Sequence, residues 1–141
     1  MNKGLIVGIA LALSAGTFTK PGQANGEQVK LEGSKWSGVT ITTAAGQVME
    51  GDAKSYRLEF MDDGGVMAKL DCNTAGGGYE ATAQGALSIG AMRMTRAKCP
   101  EGSLDMVLVG QLGAVESYSV AKGELTLGLS NGGRLVWKSA K

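Results

Sequence analysis

The chain has 141 residues, with 14 Lys and Arg against 13 Asp and Glu, so it is one domain of ordinary size with no field favouring nucleic acid or an anionic membrane. Histidine is absent, which removes the commonest general base near neutral pH, the usual zinc ligand and every Ser-His or Cys-His pair. Abundant Gly (23) and scarce Pro (2) suit short strands joined by tight turns better than a helical bundle.

Residues 1–24 read as a secretory leader: Lys3 supplies the positive start, Gly4 to Leu13 the apolar middle, and Gly22-Gln23-Ala24 a small-x-small cleavage site. The apolar run is too short to span a bilayer, and no later segment could. The leader carries no cysteine for a lipid anchor, so a soluble periplasmic or secreted protein beginning near Asn25 is expected. Lys3 and Lys20 would leave with it, so 12 of the 14 basic residues would then face 13 acidic ones, a net charge of about −1.

Residues 25–33 are polar and read as a flexible arm, with the folded domain spanning 34–141. Trp36, Val39 and Ile41 begin the first strand, and Trp36 is expected to anchor the core. Gln47 to Ser55 reads as a connecting loop. Tyr56, Leu58 and Phe60 alternate with Arg57 and Glu59 at period two, the mark of a half-buried strand. Asp62-Asp63-Gly64-Gly65 supplies a hairpin turn and lacks the graded oxygen ligands of a calcium loop.

The return strand places Val66, Ala68, Leu70 and Cys72 on one face, predicting an inward cysteine. Gly76-Gly77-Gly78 reads as a turn; no Lys-Ser/Thr and no helix follow to make it a phosphate cradle. Two further strands, 79–83 and 86–89, flank Gln84-Gly85 and lead into 91–95, with a bulge near Gly90. Leu104, Val107, Leu108, Gln111, Leu112 and Val115 then fall at helical spacing behind Ser103 as N-cap, one amphipathic helix over 103–115. Tyr118 and Val120, Leu125 to Leu129, and Leu135 to Trp137 close the chain as a three-stranded meander turning at Lys122-Gly123 and Asn131-Gly132. The fold class is therefore mainly β: a curved antiparallel sheet or incomplete small barrel of about seven to eight strands against one helix.

The Cys-Asn-x-x-x-Gly-x-Tyr pattern at Cys72, Asn73, Gly77 and Tyr79 and the Thr-x-x-x-Cys-Pro pattern at Thr95, Cys99 and Pro100 resemble the signature of the META domain family, which includes the HslJ-like proteins. Trp36, the helix, the Tyr118 strand and the closing Trp137 agree in order, extending the resemblance over about residues 31–137. Asp71, where the family usually has Gly, and Ala97-Lys98, where Met-Ala is commoner, depart from the pattern. The resemblance implies a curved, incomplete barrel wrapped on one helix, in envelope proteins tied to heat shock, stress and antibiotic tolerance. It implies no catalytic residue.

An even cysteine count in an exported chain argues for a Cys72–Cys99 disulfide, which would stabilise the fold by about 3 to 4 kcal/mol in the chain-entropy model. A redox-active pair is the rival reading. Ser119 and Lys122 match a Ser-x-x-Lys spacing, but that chemistry needs one helical turn and these lie in a strand and a turn. Met92 and Met94 could offer thioethers to copper or simply fill space. The expectation is thus a non-enzymatic monomer with no cofactor and no metal, binding an envelope protein or small ligand. The alternative is an inhibitor of a cell-wall enzyme or a carrier of a small apolar molecule.

Overall fold

A computed structural model describes residues 30–140. The leader expected at 1–24 lies outside them. The elements are β1 (Lys35–Thr42), β2 (Val48–Gly51), β3 (Tyr56–Phe60), β4 (Gly65–Leu70), β5 (Asn73–Ala81), β6 (Leu87–Ile89), β7 (Arg93–Met94), α1 (Asp105–Leu112), β8 (Val115–Ala121), β9 (Glu124–Leu129) and β10 (Arg134–Ser139). Eight strands follow the order β6-β5-β4-β3-β1-β10-β9-β8, while β2 adds to β1 and β7 adds to β5. The ends of this antiparallel path approach each other: Ala86 bridges Ser117 and Tyr118 N–H donates to Gly85 O at 2.9 Å. The result is a nearly closed barrel with a single helix among the described residues.

Period-two patterning builds the walls. Tyr56, Leu58 and Phe60 on β3 face Val66, Ala68 and Leu70 on β4, all buried, while Arg57, Met67 and Lys69 face out. At the β3–β4 turn Gly64 takes a positive φ of 90° and Asp63 Oδ1 accepts the Gly65 N–H at 2.9 Å. In the meander, Leu125, Leu127, Leu129, Leu135 and Trp137 all point inward. Ile41, Leu58, Phe60, Leu127 and Trp137 fill the interior with almost no exposure, and α1 adds Leu108 and Leu112 to the same core.

β1 is where one strand serves two partners. Its register against β10 slips between Ser37 and Val39, around Gly38 at φ 74°, and the strand pairs β3 before the slip and β2 after it. The connection expected at 47–55 therefore contains a short strand, because Val48 to Gly51 is held by the far half of β1 although none of its residues is buried and only Met49 and Gly51 are half-buried. The arm expected over 25–33 is tied down at its described end: Leu31 is buried and Gly33 N–H donates to Phe60 O at 2.7 Å.

Three further expectations change. Gly76-Gly77-Gly78 is no turn but the middle of β5, paired across to Met67, Val66 and Gly65. The helix spans 105–112 rather than 103–115, since Val115 already opens β8; Ser103 still accepts the Asp105 N–H, but Leu104 is the entry residue. Cys72 is exposed, not inward. Asp71 adopts φ 65°, and the two-residue reversal Asp71-Cys72 joins Leu70 directly to its partner Asn73, so the alternation along β4 stops one residue before the cysteine. The bulge near Gly90 is present: residues 90–92 oppose only 77–78 between the β6 and β7 pairings.

Candidate binding groove

The Asp71-Cys72 reversal delivers Asn73, only 1% exposed, to the place where the 93–99 segment passes the start of α1. Its carbonyl Oδ1 accepts from the Thr95 hydroxyl at 2.7 Å and from Ala97 N–H at 2.8 Å. Its Nδ2 donates to Ala97 O and to Asp105 Oδ2, both at 2.9 Å. The amide group is thereby saturated. The Thr95 hydroxyl also accepts Thr74 N–H at 3.0 Å. Asp105, buried in the first turn of α1, sits where the positive end of the helix favours a carboxylate.

A disulfide joins Cys72 to Cys99 across a Cα–Cα distance of 5.4 Å, closing a separation of 27 residues beside this network. The Cys99 sulfur lies 3.4 Å from Asn73 Nδ2 and 3.5 Å from Asp105 Oδ2. Tyr56 Oη accepts the Leu104 N–H at 2.9 Å and so ties β3 to the helix entry. Pro100 is exposed, and its carbonyl closes a turn by accepting Ser103 N–H at 3.1 Å.

Gly77 and Tyr79 act elsewhere on β5. A β-carbon on Gly77 would lie 3.0 Å from Ala91 O and 3.4 Å from Met92 Cγ, so glycine lets the bulge lie close against the strand. Tyr79 packs edge-on against Phe60, ring centroids 4.9 Å apart at 77°, and donates its hydroxyl to Met61 O at 3.2 Å. Burial first, and then the carboxylates of Glu32, Asp62 and Asp63, push its phenol above the usual tyrosine range.

Between the 92–99 segment and α1 runs a groove of about 860 Å3. Asn73, Cys99 and Asp105 form its floor, Met92, Met94, Met106 and Val109 its apolar lining, and Arg93, Arg96 and Lys98 bring three exposed cations to it. None of those cations makes an ion pair among the described residues, where the one pair is Lys138–Glu124 at 3.5 Å. Met106 is 65% exposed and Val107 beside it 39%, so the helix turns apolar surface outward next to the groove.

The motif residues Asn73, Thr95 and Cys99 thus converge, while Gly77, Tyr79 and Pro100 lie outside the groove's lining and hold the bulge, the Phe60 contact and the turn before α1. Ser119 lies on β8 and Lys122 in the following turn at φ 54°, not on one helical turn. Sequence reasoning missed Asp105 as the partner of Asn73, and the cationic residues of the groove. A carboxylate within the first helical turn reads as dipole compensation, and nothing local distinguishes one whose partner stands 32 residues away.

The sequence profile of the META domain matches residues 29–141, and the chain belongs to the META domain family. No curated protein matches it. Among solved structures, a protein from Burkholderia xenovorans determined by NMR is similar in fold, with a TM-score of 0.67 and 19% identity over 79% of this chain and 84% of that one. A DUF4847 family protein from Bacteroides vulgatus, known from a crystal structure, gives 0.58 and 13% over 79% and 95%. Residue 71 carries a conformational demand that glycine meets most easily, and this chain meets it with Asp71 at φ 65°. No helix among the described residues is long and apolar enough to cross a membrane.

Proposed function

We propose that this META domain protein is exported, has no enzymatic activity, and supports the cell envelope under stress by binding another envelope component in the groove between the 92–99 segment and α1. The observation that carries this reading is the contrast between floor and walls. Asn73 spends its hydrogen-bonding capacity on Thr95, Asp105 and the Ala97 backbone, which suits a rigid floor, whereas the apolar and cationic side chains around it remain open to a partner. A disulfide beside the floor favours an oxidising compartment. Carriage of an apolar molecule inside the barrel is disfavoured by the side chains of Ile41, Phe60 and Trp137 that occupy it.

Photo-crosslinking in cells tests the reading, with the reactive residue placed at Met106, an exposed position in the groove's lining, or at Val48, an exposed apolar position on β2. Capture of one reproducible envelope component from position 106 and not from 48 is expected. The same products from both positions, or none from 106, would overturn it.

A further inference from the structure

The groove has three properties that together select a class of occupant. First, β7 pairs only with β5, through Ala75↔Met94 and Gly76↔Arg93, so its other edge is unpaired among the described residues. Thr95 N–H bonds back to Thr74 O; by the alternation of an antiparallel ladder, the N–H and C=O of Met94 then point to the open edge. Such an edge is a template for an incoming strand. Second, Met92, Met94 and Met106 give that edge a soft apolar lining able to repack around different side chains. Third, Arg93, Arg96 and Lys98 stand exposed without ion-pair partners, while the one carboxylate of the floor, Asp105, is engaged by Asn73.

These cations also weigh against the copper reading of the methionines, since three nearby positive charges repel a metal cation. An anionic occupant gains from them instead.

We propose that the groove docks an extended acidic peptide segment of a partner protein, which adds to the open edge of β7, seats an apolar side chain among Met92, Met94 and Met106, and pairs its carboxylates with Arg93, Arg96 and Lys98. This rests on the groove being the binding site, and names the chemistry of what it binds. An extended peptide is favoured over an anionic lipid because the open strand edge offers backbone pairing that an acyl chain cannot use.

The test is selection of a displayed library of random twelve-residue peptides on the oxidised protein, beside the triple variant Arg93→Glu/Arg96→Glu/Lys98→Glu. All three side chains are exposed, and retention of the disulfide and of the circular dichroism spectrum checks that the variant is folded. The expected result is enrichment of Asp and Glu next to apolar residues, affinity for a selected peptide at least tenfold weaker in the triple variant, and peptide-induced amide shifts confined to 92–98 and 105–109. Selected peptides without acidic bias, or peptides whose binding ignores the charge reversal, overturn the proposal. Binding of phosphatidylglycerol vesicles at the same amides with no peptide selected overturns the peptide proposal and leaves the groove as the binding site. If no probe shifts those amides and crosslinking from Met106 also captures nothing, both readings fall.

Discussion

The meander of β8, β9 and β10 and the stretch from Asp71 to Cys99 are held together by different physics. In the meander, Leu125, Leu127, Leu129, Leu135 and Trp137 repeat at period two, and each residue's environment follows from its neighbours two places away. In the Asp71–Cys99 stretch the decisive contacts are polar and distant: Asn73 reaches Thr95, Ala97 and Asp105, and Cys72 reaches Cys99. The first region gives the barrel its cohesion. The second fixes one short segment and the helix entry against the barrel, leaving between them the groove assigned to binding.

This difference predicts unequal reach for mutations. Trp137→Ala removes the largest fully buried side chain and should destabilise the whole domain by about 3 to 5 kcal/mol. Hydrogen exchange should quicken together in β3, β4, β9 and β10, since one shared core has lost its packing. Acceleration limited to β9 and β10 would show the meander to be a separate unit and break the comparison.

Asn73→Ala should cost less, about 2 to 4 kcal/mol, and act locally. It leaves the Ala97 N–H without its acceptor and the buried Asp105 carboxylate without its donor. The expected signature is faster exchange at the amides of Thr95 and Ala97 and in the first turn of α1, with β9 and β10 little changed while the disulfide holds the segment's end. Equal acceleration throughout would mean that the amide network is as global as the core.

The same division explains what could be read in advance. The β3–β4 hairpin and the meander were legible because burial of alternate residues leaves a local record. Gly76 to Gly78 were misread because glycine marks turns and close approaches alike; here Gly77 is needed by the backbone of Ala91 opposite, which local sequence does not reveal. The extra helical turn inferred from Val115 came from a spacing compatible with either structure, and strand pairing with Leu129 decided it. Arg93, Arg96 and Lys98 carry no periodic signal, so their common setting emerges only when the 92–99 segment is laid beside α1.

Cys72 shows most sharply how one backbone angle can cancel a regular pattern. Extending the β4 alternation past Leu70 puts the cysteine inside, but Asp71 at φ 65° reverses the chain and turns it out. A left-handed conformation costs a residue with a β-carbon roughly 1 kcal/mol, somewhat less for Asp, while glycine avoids that cost and loses more freedom on folding. The structure shows Asp71 hydrogen-bonded through its backbone, accepting from Lys69 Nζ at 2.8 Å and donating to Ser55 O at 2.7 Å, and both bonds survive truncation of the side chain. Asp71→Gly should therefore raise stability slightly, by about 0.5 kcal/mol, or roughly 2 to 3 °C in Tm, whereas Asp71→Ala should lower it by a similar amount. Thermal melts of the two oxidised variants check the sign: a lower Tm for the glycine variant would mean that the Asp71 carboxylate itself stabilises the reversal.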